Sequence, residues 1–125
     1  MAWIYVFIGG GTGSILRYIL AQRYNSVGQE LVTFPLGTFL ANIISCFILG
    51  ILIQKQIADH IDENYRLLLA IGFCGGFSTF STFGYELYMY MQKGQLYAGT
   101  GYVLLSIIGG IIVIILGIKL HSWLY

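Results

Sequence analysis

The sequence predicts an all-α membrane protein with four transmembrane helices, and three observations carry that prediction. Charged residues make up only 9% of the chain and apolar ones 58%, with a mean hydropathy of +0.81, far from the roughly 25% charge of soluble domains. Charge-poor stretches of about the 20 residues that a helix needs to cross a bilayer occur four times, at residues 2–21, 34–53, 67–91 and 97–118. The connections between them are short and polar, too small for a soluble domain, so the 125 residues form a single membrane domain.

The first span carries GGGTG at Gly9–Gly13. A phosphate loop would require a following Lys-Ser or Lys-Thr, and none is present, so nucleotide is not a predicted ligand. No basic leader precedes the apolar run, so this segment is expected to remain in the mature protein. Arg17 near its end has two readings: a long side chain snorkelling to the headgroups, or an intramembrane charge with a dedicated partner.

The second span opens at Thr33, Phe34 and Pro35, where a proline in the first turn sacrifices no needed hydrogen bond. Asn42, about half-way along, must find a partner in a medium without water. It either joins two helices or lines a pore. The following connection, KQIADHIDENYR, reads as a polar turn with a short helical piece that leaves His60 in a solvated loop. His121 is expected at the membrane edge.

The third span holds GFCGGFSTFSTFG, Gly72–Gly84. Two adjacent glycines, Gly75 and Gly76, followed by hydroxyls, predict a helix broken near its middle. Free carbonyls at such a break can hold a cation. On a continuous helix turning about 100° per residue, Ser78, Ser81, Thr82 and Tyr85 gather on one side and Gly76, Phe80, Phe83 and Leu87 on the other. Hydroxyl donors and the positive edges of aromatic rings can both replace water around a small anion; ordinary packing or lipid contact is the competing reading for the two phenylalanines. Glu86 ends this polar stretch, and by span order it faces the same side of the membrane as Arg17, so a pair or a shared vestibule is one expectation. The fourth span contributes Tyr102 and Ser106, four apart and on one face.

Small residues four apart recur at Gly9 and Gly13, Gly37 and Ala41, Gly72 and Gly76, and Ser106 and Gly110, the spacing that lets membrane helices approach closely. Cys46 and Cys74 lie in apolar runs without metal-ligand spacing and read as small buried residues. The six basic residues nearly cancel the five acidic ones, and no basic run marks nucleic acid as a partner. Lys55, Arg66 and Lys119 fall on one predicted side and Arg17, Arg23 and Lys93 on the other. An even split removes the usual bias that orients a membrane chain. Insertion in both orientations and antiparallel pairing are therefore expected.

The stretches GGGTGSILRY, GTFLANIISCFILG and GFCGGFSTFSTFGYE, with a hydroxyl-bearing fourth span, resemble the Fluc (CrcB) family of small fluoride channels almost end to end. The resemblance implies a channel and not an enzyme: an antiparallel homodimer in the bacterial plasma or inner membrane that lets cytoplasmic fluoride leave down its gradient and so confers fluoride resistance. It implies a structural central sodium ion on the backbone carbonyls of Gly75 and Ser78 from both subunits. It also implies a fluoride pathway of Asn42, Phe80, Phe83, Ser81, Thr82, Tyr102 and Ser106, with Arg17 and Glu86 in a vestibule or structural role. Gly110 stands where some members place a serine on the polar track. The competing class is a proton-coupled exporter of the small multidrug resistance type, similar in size and dual topology. Such exporters need a carboxylate deep in the first span, and Ala2–Ala21 has none.

Overall fold

The computed structural model describes residues 1–25, 33–59 and 61–124. The expected loop position of His60 and most of the first connection lie outside the described residues. Helix α1 spans Ala2–Tyr24 and α2 spans Leu36–Asp59. The third membrane element is assembled from pieces: a single turn α3 (Glu63–Tyr65), a π-helical stretch (Arg66–Cys74), α4 (Gly75–Phe77) and, after a break, α5 (Phe80–Gln92). Helix α6 spans Leu96–Leu124. Among the described residues, four elements are long and apolar enough to cross a membrane, as predicted.

Most helix ends extend beyond the expected ones, although α2 begins at Leu36 and not at the expected Phe34. The polar stretch Gln54–Asp59, expected as connection, continues α2, and α6 runs on to Leu124. Hydropathy marks where a helix leaves the hydrocarbon, whereas the backbone has no reason to unwind there. Pro35 does mark the start of α2, since its carbonyl accepts the amide of Phe39 at 3.0 Å. The short helical piece of the middle connection is α3, where the Asp62 carboxylate accepts the Asn64 amide at 2.8 Å. Between the last two helices, Gly94 takes a left-handed φ of 69°, a conformation that glycine adopts without steric cost.

All four small-residue pairs lie at helix contacts. A Cβ on Gly9 would strike the Leu68 carbonyl and the Phe73 amide, one on Gly13 the Phe73 carbonyl, and one on Gly76 the backbone of Gly10. Helix α1 thus lies directly on the π-helical stretch and α4, backbone against backbone. Gly37 sits equally close to Leu20 and Ala21, and Gly110 lets α6 approach the Cys46 sulfur. A further pair, Gly50 and Gly117, seals α2 on α6; it was missed because its members lie on different helices and show no spacing. Gly9→Val is expected to prevent assembly, at a cost above the ~1–3 kcal/mol of ordinary overpacking, because the obstructing atoms are backbone. Gly11→Ala, with nothing within 4 Å of the added carbon, should behave as wild type. Size-exclusion profiles in detergent distinguish the two outcomes.

Candidate functional site

The break lies at Ser78 and Thr79, both extended (ψ 158° and 126°), and not at the glycine pair, which stays helical with Gly75 at φ −64° and ψ −35°. The cause is Asn42. Its Oδ1 accepts the Thr79 amide at 2.8 Å and its Nδ2 donates to the Thr79 carbonyl at 3.3 Å. In an unbroken helix the Thr79 amide would bond to Gly75; α2 has taken it instead. Between the two readings of Asn42, it does join helices, and it does so through the backbone of the break.

Carbonyls beside the break find specific partners, as buried backbone groups must, and that of Cys74 also keeps its helical donor. The Cys74 carbonyl accepts the Ser78 amide at 3.0 Å and the Ser78 hydroxyl at 2.7 Å, with Ser45 Oγ at 3.5 Å. The Gly76 carbonyl accepts Arg17 Nε at 3.1 Å and Ser14 Oγ at 3.4 Å. Arg17 therefore serves the broken backbone and is not brought to Glu86. On the other side of the gap, Thr79 Oγ1 accepts the Thr82 amide at 3.2 Å and caps α5.

A cavity of about 330 Å³ opens beside the break, lined by Asn42, Cys46, Ser78, Thr79, Phe80, Phe83, Ser106 and Ile107. Five of the predicted site residues meet there: Asn42, Ser78, Phe80, Phe83 and Ser106. The opposition of faces expected for a continuous helix does not survive the break, which turns Ser78 to the same space as Phe80 and Phe83. The Ser106 Oγ is buried and has no hydrogen-bond partner among the described residues. The Asn42 amide keeps a second N–H beyond the one given to Thr79. Phe80 and Phe83 stand with ring centroids 6.3 Å apart. The wall thus offers an unspent hydroxyl, an amide and two rings, and no charged side chain. A wider depression of about 580 Å³ lies several turns away near the end of α6, between Phe47, Leu116 and Trp123.

Ser81 and Thr82 do not line this cavity. Ser81 is exposed, and both hydroxyls lie against Thr79 Oγ1, at 3.3 and 3.2 Å. Gly75, Phe80, Ser81, Gly84 and Tyr85 are all exposed on the single chain, Phe80 at 85%.

One helical turn from the cavity, the same three helices build a second polar level. Thr38 is four residues before Asn42 on α2, Glu86 three after Phe83 on α5, and Tyr102 four before Ser106 on α6. Here the Glu86 carboxylate accepts the Thr38 hydroxyl at 2.5 Å, the Asn25 amide at 3.1 Å and the Tyr102 hydroxyl at 2.8 Å. Tyr102 is 1% exposed and ringed by Phe34, Phe83 and Tyr90, at centroid distances of 5.3, 4.9 and 6.2 Å. Its one hydroxyl proton is therefore spent on Glu86. Sequence reasoning missed Thr38, Thr79, Cys46 and Asn25. The spacing of Thr38 to Asn42 could have revealed the first, and Thr79 was the one hydroxyl of the STFST run left unused; Asn25 stands in a connection with no pattern around it. Among the described residues no group of three or more His, Cys, Asp or Glu side chains could hold a metal ion.

Comparison with known proteins gives a consistent result. Residues 4–118 match the family described as CrcB-like protein, Camphor Resistance (CrcB). The chain is 41% identical to the Fluoride-specific ion channel FluC of Pectobacterium atrosepticum over 119 residues, covering 94% of this chain and 91% of that protein. It is 41% identical to the protein of the same name from Phocaeicola vulgatus over 113 residues (90% and 92% covered). With that of Serratia proteamaculans the identity is 36% over 120 residues, covering 95% and 92%.

Proposed function

Because this chain belongs to the CrcB-like protein family, we propose that it is a multi-pass bacterial membrane channel that passes fluoride, and that the cavity beside the break is part of the path. It is not an enzyme. The observation that carries this reading is the cavity wall: the unspent Ser106 hydroxyl and the Asn42 amide meet the rings of Phe80 and Phe83 without any charged side chain. Neutral donors and ring edges suit a small anion that must shed water yet leave again. Hydrogen fluoride crosses the bilayer uncharged, dissociates in a near-neutral cytoplasm and departs as the anion through the channel; no nucleotide and no proton coupling is needed. The multidrug-type exporter finds no support, since α1 carries no carboxylate.

The test is efflux from liposomes loaded with fluoride, read by a fluoride electrode, with chloride-loaded vesicles as the control. Rapid fluoride-selective efflux is expected. Slow efflux that follows the proton gradient would move the protein to the exporter class.

The working unit in this reading is an antiparallel homodimer. The even split of Lys and Arg between the two sides supports it, and so does the bare face of Gly75, Phe80, Ser81, Gly84 and Tyr85, which a second copy would cover. A reporter fused to the C-terminus should be found on both sides of the membrane; detection on one side alone would exclude the arrangement. In this arrangement a structural sodium ion would sit between the two breaks, held by the backbone carbonyls of Gly75 and Ser78. The Gly75 carbonyl has lost its helical donor to Asn42, and Gly75 is exposed on the single chain. When bound, the ion would join the broken helices of both subunits. Exhaustive replacement of sodium should lower dimer stability and flux, and unchanged flux would count against the ion.

A further inference from the structure

Asn25 lies outside every predicted site, in the residue that ends α1, yet its side chain joins three helices. Its Oδ1 accepts the Gly37 amide at 2.8 Å, one of the first-turn donors of α2 that a helix cannot satisfy itself. That bond fixes the orientation of the amide, since only the oxygen can face an N–H. Its Nδ2 therefore points the other way, to Glu86 Oε1 at 3.1 Å and Thr38 Oγ1 at 3.1 Å. Gly37 is suited to this contact because a Cβ there would stand 2.9 Å from Asn25 Oδ1.

Each link in the chain that follows is directional. Asn25 donates to Thr38 and Glu86, Thr38 donates to Glu86, and Tyr102 donates to the other carboxylate oxygen. Tyr102 is the neighbour of Phe83, which walls the cavity. We infer that Asn25 is a positioning residue for fluoride passage: by holding Glu86 it fixes the Tyr102 hydroxyl and, through the Tyr102 ring, the face on which Phe83 rests. The inference rests on the fluoride-channel reading.

A bare helix cap and a positioning residue respond differently to Asn25→Asp. Aspartate still accepts the Gly37 amide, so a cap would be preserved, but the donor facing Glu86 becomes a second carboxylate. Loss of a hydrogen bond to a buried charge predicts a flux about tenfold or more below wild type, with the size-exclusion profile unchanged. Adding Glu86→Gln to Asn25→Asp restores an amide opposite a carboxylate, with donor and acceptor exchanged, and should return flux to within a few-fold of wild type. Wild-type flux in Asn25→Asp, or no recovery in an assembled double variant, overturns the inference. Should Asn25→Asp not assemble, Asn25→Ser decides: its oxygen is a small acceptor for the Gly37 amide but it is too short to reach Glu86, so flux should fall, and wild-type flux overturns the inference. Wild-type vesicles run in parallel separate this outcome from failure of the channel reading, which would show as no fluoride flux in any sample.

Discussion

Phe80→Ile is expected to leave the fold of the chain untouched and to abolish fluoride flux. At 85% exposed, the ring has little packing of its own chain to lose; what it offers is its place on the wall of the cavity beside the break. An aliphatic side chain has no quadrupole to replace water around the anion. Phe83→Ile adds a second component, because this ring lies 4.9 Å from that of Tyr102 and imperfect repacking costs about 1–3 kcal/mol. The pair therefore separates two effects: Phe83→Ile should lower both thermal stability and flux, Phe80→Ile flux alone. At least one of the two should purify as a dimer and pass almost no fluoride from liposomes. Flux at the wild-type level in both would return the rings to packing and leave the hydroxyls with Asn42 as the pathway.

Asn42→Leu is expected to cost much stability, because one side chain answers two backbone groups. With leucine there, the amide and the carbonyl of Thr79 both lose their partner, and each buried polar group left unpaired costs about 1–3 kcal/mol. The helix should then close across Ser78 and Thr79, or the protein should not assemble. Asn42→Asp distinguishes support of the break from service to the anion. The carboxylate still accepts the Thr79 amide, so the break should persist and the protein should still assemble, with thermal stability lowered because the Thr79 carbonyl loses its donor. Its charge at the cavity wall should nonetheless cut flux at least tenfold, about 1.4 kcal/mol at the barrier. Asn42→Asp passing fluoride like the wild type would remove Asn42 from the pathway and leave it a support of the break.

Much was legible in the sequence because it depends on composition and local periodicity. Four runs of low charge predict four membrane helices, since hydrocarbon leaves the backbone few other options. The small-residue spacings located the close approaches of Gly9, Gly13 and Gly76, because a helix returns to one face every three to four residues. That the third helix would break was also readable; the grouping of Asn42, Phe80, Phe83 and Ser106 came from the resemblance to the Fluc (CrcB) family, and the structure brings them to one cavity. What local pattern could not decide were pairings between helices. The glycines Gly75 and Gly76 looked like the breaking point because glycine permits irregular backbone; permission is not a cause, and the break falls at Ser78–Thr79 because Asn42, thirty-seven residues earlier in sequence, takes the Thr79 amide. Arg17 and Glu86 share a side of the membrane, yet the fold gives Arg17 to the Gly76 carbonyl and Glu86 to Thr38, Asn25 and Tyr102. A hydrogen bond needs its atoms within about 3 Å and in line, and that condition is met or missed only once the helices are set against one another.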